Sequence, residues 1–150
     1  MTQSEKQIEP AGEKDFDEIA QVWEASVRAT HDFLQESDIE RLAPLVRDRY
    51  LPAVRLYCIR DGAERIAAFS GLSGRHVEML FVRPDRRGEG LGRRLLRFAV
   101  EHHGIRSVDV NEQNPQATAF YLRMGFRVAD RSPLDPEGEP YPILHLRLPQ

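Results

Sequence analysis

Apolar residues recur along this chain in two rhythms, one suited to helices and one to strands. Ile19, Val22, Trp23, Ser26 and Val27 share one helical stripe and predict a helix from about Asp15 to Thr30. A second helix is expected from near Ser37, where Ser37 and Glu40 have the spacing of a capping box, and Pro44 should kink or split it. Short apolar runs predict strands from Ile8 to Ala11, Leu56 to Arg60, Arg65 to Leu72 and His76 to Val82. Asp61-Gly62 is a hairpin signal between the second and third of these. The helical rhythm returns between Gly92 and Gly104, with Leu95, Leu96, Ala99 and Val100 on the apolar face. A strand from Ser107 to Val110 follows, then a helix from Pro115 to Met124, capped by Asn114 and ended by Gly125. Phe126 to Ala129 and Ile143 to Leu148 are the last strands, joined by a polar loop carrying Pro133, Pro136, Gly138 and Pro140. The order predicts a mixed α/β (α+β) fold, with an antiparallel front half and a strand–helix–strand–helix–strand back half. Residues 1–7 read as a loose tail on a single domain spanning 1–150.

Composition narrows the choice of function. The 150 residues, 41% hydrophobic and 30% charged, fit one globular domain with a real core. No apolar run approaches the roughly 18 residues of a membrane span, and residues 1–10 lack a signal peptide's apolar stretch. The single cysteine, Cys58, allows no internal disulfide and no cysteine-based zinc site, so the default location is the reducing cytoplasm. No Asp, Glu or His spacing suits a metal, so none is expected. A net charge of −3 gives no global field for nucleic acid. Yet Arg83, Arg86, Arg87, Arg93, Arg94 and Arg97 crowd one segment. That cluster suits a small anionic ligand; the alternative is a solvated arginine face.

The same segment holds Gly88, Gly90 and Gly92 between a strand and a helix. Glycines there let backbone N–H groups close on a phosphate, and the helix start adds unpaired donors and the positive end of the macrodipole. Arg87 and Arg93 can add charge-assisted contacts. A P-loop would need Lys then Ser or Thr after its last glycine, where this chain has Arg93 and Arg94. A dinucleotide fingerprint would need glycine at position 93. Both spacings fail, leaving another phosphate ligand or a glycine-rich turn with no ligand.

Two blocks together resemble the GNAT superfamily of N-acetyltransferases. Arg87, Gly90 and Gly92 fit its Arg/Gln-x-x-Gly-x-Gly/Ala loop, preceded by Val82-Arg83-Pro84. Asn114, Ala117, Phe120, Tyr121, Gly125 and Phe126 fit its Asn-x-x-Ala-x-x-Phe-Tyr-x-x-x-Gly-Phe block. Thr30 to Leu34, Val110 to Asn114 and Pro140-Tyr141-Pro142 add a finer similarity to small bacterial YjaB-type acetyltransferases. The resemblance implies a mostly antiparallel sheet of six to seven strands with helices on both faces. It implies acetyl transfer from acetyl-CoA to a primary amine of a small molecule, peptide or protein, by direct attack in a ternary complex. The pyrophosphate would sit on Arg87, Gly88, Glu89, Gly90, Leu91, Gly92 and Arg93. Backbone N–H groups of a splayed strand, at Leu80, Phe81 and Val82, would hold the pantetheine arm and polarise the thioester. Asn114, Ala117 and Phe120 would flank that arm, and Tyr121 would be the acid meeting the thiolate; the alternative is core packing, since Ala117, Phe120, Tyr121 and Met124 form an apolar stripe. Asn114 and Tyr121 are seven residues apart, two helical turns, on one face.

For the base, the resemblance points to Glu78 acting through water, because Glu78 precedes the glycine loop on a strand whose alternation with Met79 and Leu80 suits a cleft-facing side chain; the alternative is an exposed strand carboxylate. His76 shares its parity, and His31 is a third candidate, as base or as an acceptor ligand, with a capping or turn role as the alternative. Trp23, His31, Asp32, Phe33, His76 and Tyr141 could shape the acceptor pocket. His102-His103 reads as a charge complement at a helix C-terminus. Two other functions compete: a non-catalytic acyl-CoA binding or sensing module, and a nucleotide-phosphate binder. By family analogy the chain is a monomer or homodimer.

Overall fold

The computed structural model describes residues 7–149. The expected N-terminal tail, apart from Gln7, lies outside them. The chain opens with strand β1 (Ile8–Ala11), then helices α1 (Phe16–Thr30) and α2 (Glu36–Leu45). Strands β2 (Arg55–Arg60), β3 (Ile66–Ser73) and β4 (His76–Val82) form a meander. Helix α3 (Leu91–His103), strand β5 (Ser107–Asn111), helix α4 (Pro115–Arg123), and strands β6 (Arg127–Ser132) and β7 (Ile143–Arg147) complete it. Among the described residues the sheet has seven strands in the order β1-β2-β3-β4-β5-β7-β6. Every pairing is antiparallel except β4 with β5.

Period-3.6 stripes decide which face each helix covers. Ile19, Val22, Trp23 and Val27 of α1, with Ile39 of α2, pack against Cys58 and Phe69 on one face of the front strands. Leu96 and Ala99 of α3 and Tyr121 of α4 pack on the other face, against Leu72, Val77, Val108 and Leu146. Trp23 is only 6% exposed. The stripe that made it helical also makes it core, so it does not wall the acceptor pocket.

Three local expectations shift. The cap of α2 lies two residues earlier than Ser37: Gln35 is the N-cap, and its N–H donates to Asp38 Oδ2 at 3.0 Å. Pro44 sits in the last turn of α2, which ends one residue later at Leu45, and a wider π-type turn over Val46–Tyr50 follows directly. His103 packs 4.9 Å from Tyr57, and burial with the Arg55 charge lowers its pKa. A neutral ring there is no charge complement to the helix end.

Candidate active site

β4 and β5 pair only at His76↔Ser107 and Val77↔Val108, then part. β4 stays paired with β3 as far as Val82. Arg83 N–H donates to the Ala67 carbonyl at 2.8 Å. With that register, the N–H groups of Met79 and Phe81 also face β3, and those of Leu80 and Val82 face the gap. Such donors remain available because no strand among the described residues fills the wedge.

The gap opens into a cleft of about 1130 Å³. Leu80, Phe81 and Val82 form its floor, and Arg87, Gly88, Gly90, Leu91, Gly92 and Arg93 one end. Asn114, Ala117, Phe120 and Tyr121 form the facing wall, and His31 closes the far side. Gly88 and Gly90 have φ of 85° and 80°, in the left-handed region. A Cβ at either would meet no heavy atom within 4 Å, and both glycines line the cleft. A Cβ at Gly92 would lie 3.5 Å from Val82 Cγ2 and 3.8 Å from Phe120 Cζ, which lets α3 begin hard against β4 and α4. Open amides, a helix start and flanking guanidinium groups make a cradle that fits a pyrophosphate.

Two arginines of this segment are tethered. Arg87 Nη2 donates to Gln116 Oε1 at 2.7 Å, joining the loop to α4. Arg86 Nη2 donates to Asp61 Oδ2 at 3.0 Å. The Asp61 carboxylate is buried, which disfavours its charge. The N–H groups of Arg65 and Ala63 and the Arg86 guanidinium outweigh that and hold its pKa at about 2. Asp61 therefore stays ionised, closing the hairpin turn and fixing Arg86 at the cleft.

Asn114 caps α4 by accepting from Ala117 N–H at 3.1 Å. The Tyr121 ring packs against Phe120 and Phe126 at 5.0 Å and 5.7 Å. Burial raises its phenol above the ordinary value, so the hydroxyl stays neutral. An aromatic row runs outward from the core: Phe69 to Phe81 at 5.7 Å, Phe81 to His31 at 6.5 Å, His31 to Phe33 at 5.1 Å, and Phe33 to Tyr141 at 6.0 Å. Tyr141 donates to Asp38 Oδ2 at 2.7 Å, pinning the β6–β7 loop onto α2.

The acetyltransferase (GNAT) domain profile matches residues 52–128. Peptidyl-lysine N-acetyltransferase YjaB of Escherichia coli K12 is 42% identical over 130 residues, covering 87% of this chain and 88% of that protein. This chain belongs to the GNAT acetyltransferase family. The solution structure of apo YjaB from Escherichia coli superposes with a TM-score of 0.85 at 39% identity, over 94% of this chain and 95% of that one. A PaiA N-acetyltransferase of Thermoplasma acidophilum, solved with coenzyme A, shares the fold: TM-score 0.75 at 18% identity, over 96% and 99% of the two chains. This GNAT chain is an N-acetyltransferase, and its family uses acetyl-CoA.

Not every residue singled out in the GNAT chain's sequence reaches the cleft. Glu89, Asp32, Phe33, Tyr141, His76 and Glu78 are absent from its lining. Glu78 departs for a reason of register. Gly71 pairs with Met79 but Leu72 pairs with Val77, so Glu78 is the extra residue of a bulge. The bulge breaks the alternation that was to aim Glu78 into the cleft, and the side chain is exposed. His76 lies beside β5: its Nδ1 meets Ser107 Oγ at 2.7 Å and its Nε2 lies 3.4 Å from Asp109 Oδ2. Conversely, Arg86, Gln116 and Arg123 line the cleft. Gln116 and Arg123 are seven residues apart and share a helical face, but that face is turned about half a turn from Asn114 and Tyr121, so spacing from the cap does not find them. Cys58 is buried, and burial pushes its thiol up to about 11, which leaves it inert. Among the described residues no group of three His, Cys, Asp or Glu side chains could hold a metal, and no helix is long and apolar enough to cross a membrane.

Proposed function

We propose that this chain acetylates the ε-amine of peptidyl lysines with acetyl-CoA, by direct attack within a ternary complex in the cytoplasm. One observation carries the reading. The free N–H groups of Leu80 and Val82 line a wedge that runs from a phosphate cradle to Tyr121 and His31. When bound, acetyl-CoA supplies an activated acyl group as a thioester. The cradle over residues 87–93 would hold its pyrophosphate, and Asn114, Ala117 and Phe120 would flank the arm. The N–H of Leu80 or Val82 would polarise the carbonyl, a fixed donor in a site shielded from water.

Tyr121 would serve the sulfur. An ordinary thiol has a pKa of about 8.5, below that of the buried phenol. Full proton transfer from Tyr121 to a thiolate would therefore run uphill. The hydroxyl is better suited to donating a hydrogen bond to the departing sulfur. The lysine reading draws on the YjaB relative named for that substrate, and on Phe33 and Tyr141, which lie outside the cleft lining but continue the aromatic row outward from His31. Their faces suit a lysine's hydrocarbon stem and its charged head. The test is acetyl-CoA turnover on a lysyl peptide, the same peptide with Lys replaced by Arg, and a free polyamine. Selective ε-acetylation, mapped by mass spectrometry, is expected; equal or faster polyamine turnover would replace the acceptor class.

A further inference from the structure

We infer that His31 is the base of the transfer, its Nε2 lone pair taking the proton from the acceptor nitrogen as the carbon–nitrogen bond forms. The inference rests on the acetyl-transfer reading above. Two independent sets of hydrogen bonds fix the ring. Thr30 Oγ1 donates its single proton to the Ser26 carbonyl at 2.8 Å, so toward His31 it can only accept. His31 Nδ1, 2.8 Å from that oxygen, must then carry the proton. From the other side, Asn114 Oδ1 accepts from Ala117 N–H, which turns the Asn114 amide nitrogen toward His31 Nε2 at 3.4 Å. An amide nitrogen only donates, so Nε2 must accept. Both constraints give the same tautomer: Nδ1–H behind, a lone pair at Nε2 in front.

The surroundings keep that lone pair free of a proton. Phe33 and Phe81 pack against the ring, and Thr30 and Asn114 are neutral. Burial lowers the His31 pKa, and the Asp32 carboxylate only partly offsets this. The ring is therefore neutral near pH 7. A base this weak would not strip a free lysine ammonium, whose pKa is about 10.4. It need not do so. The neutral amine attacks the thioester carbon, and its nitrogen becomes strongly acidic as the new bond forms. His31 Nε2 takes that proton. The carbon–sulfur bond breaks, its electron pair leaves with the sulfur under the Tyr121 hydrogen bond, and His31 returns its proton to water. Asn114 yields its weak contact to the incoming nitrogen, so the cap of α4 positions both cofactor and base.

The test has an arm that needs no substrate. ¹⁵N NMR of the full chain should show His31 as the Nδ1–H tautomer, titrating below the usual histidine value of about 6.5. An Nε2–H tautomer, or a normal titration, overturns the proposal. In kinetics, His31→Gln should lower kcat/KM by about 10²–10⁴-fold, with acetyl-CoA affinity by calorimetry within a few-fold of the parent. His145→Gln, a histidine outside the cleft, should stay near the parent. The sign of the pH dependence follows from the lowered pKa. Above it, the parent's kcat/KM rises with the amine's free-base fraction alone. Below it, His31 also protonates and the fall steepens, and this extra steepening should vanish in His31→Gln. Added imidazole should restore part of the activity of His31→Ala. Turnover within about twofold of the parent, or an unchanged acid limb, sinks the assignment. If the parent acetylates another amine instead of lysyl peptides, the acceptor reading fails, and the same comparison is run on that amine.

Discussion

Histidines with well-formed hydrogen bonds occur in two regions of this molecule, and only one region can do acyl chemistry. On the sheet face left open by α1 and α2, Ser132 Oγ lies 2.7 Å from His145 Nε2, and His145 Nδ1 lies 2.6 Å from Asp109 Oδ1. That is the atom order of a Ser–His–Asp relay. At the cleft, His31 has weaker partners, a hydroxyl and an amide at 2.8 Å and 3.4 Å. Yet His31 faces a wedge with free backbone donors, and Ser132, His145 and Asp109 do not line it. Asp109 is 43% exposed at its side chain, so water screens the pair. Proton-transfer geometry is common on polar sheet faces. A site also needs room for the reacting group, donors aimed at the charge that develops, and exclusion of water.

The strongest way to break this contrast is at Tyr121. Tyr121→Phe keeps the ring packed on Phe120 and Phe126 and deletes only the hydroxyl. The melt should shift little, acetyl-CoA affinity should hold, and kcat should fall by about 10²-fold, the loss expected for one donor to a developing charge. If steady-state kcat stays within about twofold, Tyr121 is a core residue and the sulfur leaves unaided.

A smaller effect is expected at the cradle. Gly90→Val puts a β-branched side chain at a φ of 80°, at a residue that lines the cleft. Backbone strain of this kind costs of order 1–3 kcal/mol, and the isopropyl group blocks the phosphates. Calorimetry should show CoA binding weakened by about tenfold or more, which corresponds to at least about 1.4 kcal/mol. Unchanged CoA affinity would move the pyrophosphate away from this loop.

How legible these regions are in the sequence depends on how local their determinants are. The glycine loop, the Asn114 cap and the α4 face carrying Tyr121 are set by neighbours within a turn or two, and the sequence shows them. The sheet of seven mostly antiparallel strands follows from the same local punctuation together with the family pattern. Glu78 is misread because its direction depends on how β3 pairs with β4, and a one-residue bulge reverses the faces. The cap of α2 is misread because Asp38 competes with Ser37 for the same turn and wins through the Gln35 N–H. His31 is visible as a candidate, but its tautomer is not, since one constraint comes from Asn114, 83 residues away. Trp23 is legible twice over: the stripe that predicts its helix already assigns it to the core.

The smallest expected effect lies on the open sheet face. Ser132→Ala removes the hydroxyl that meets His145 Nε2 and leaves the His145–Asp109 pair in place. A half-exposed hydrogen bond of this kind contributes about 1 kcal/mol or less, because water replaces the lost partner. Acetyl transfer should stay within about twofold of the parent, and the melting temperature should drop by only a few degrees. The relay geometry makes a sharper demand. Were Ser132 an activated nucleophile, the parent would hydrolyse a small activated ester and react with a fluorophosphonate at Ser132, and Ser132→Ala would lose both. Because Ser132, His145 and Asp109 lie outside the cleft, neither is expected above the rate of solvent-exposed serines. Selective labelling of Ser132 would show that hydrogen-bond order alone can build a reactive serine on a flat sheet, and the contrast between the two regions would fall.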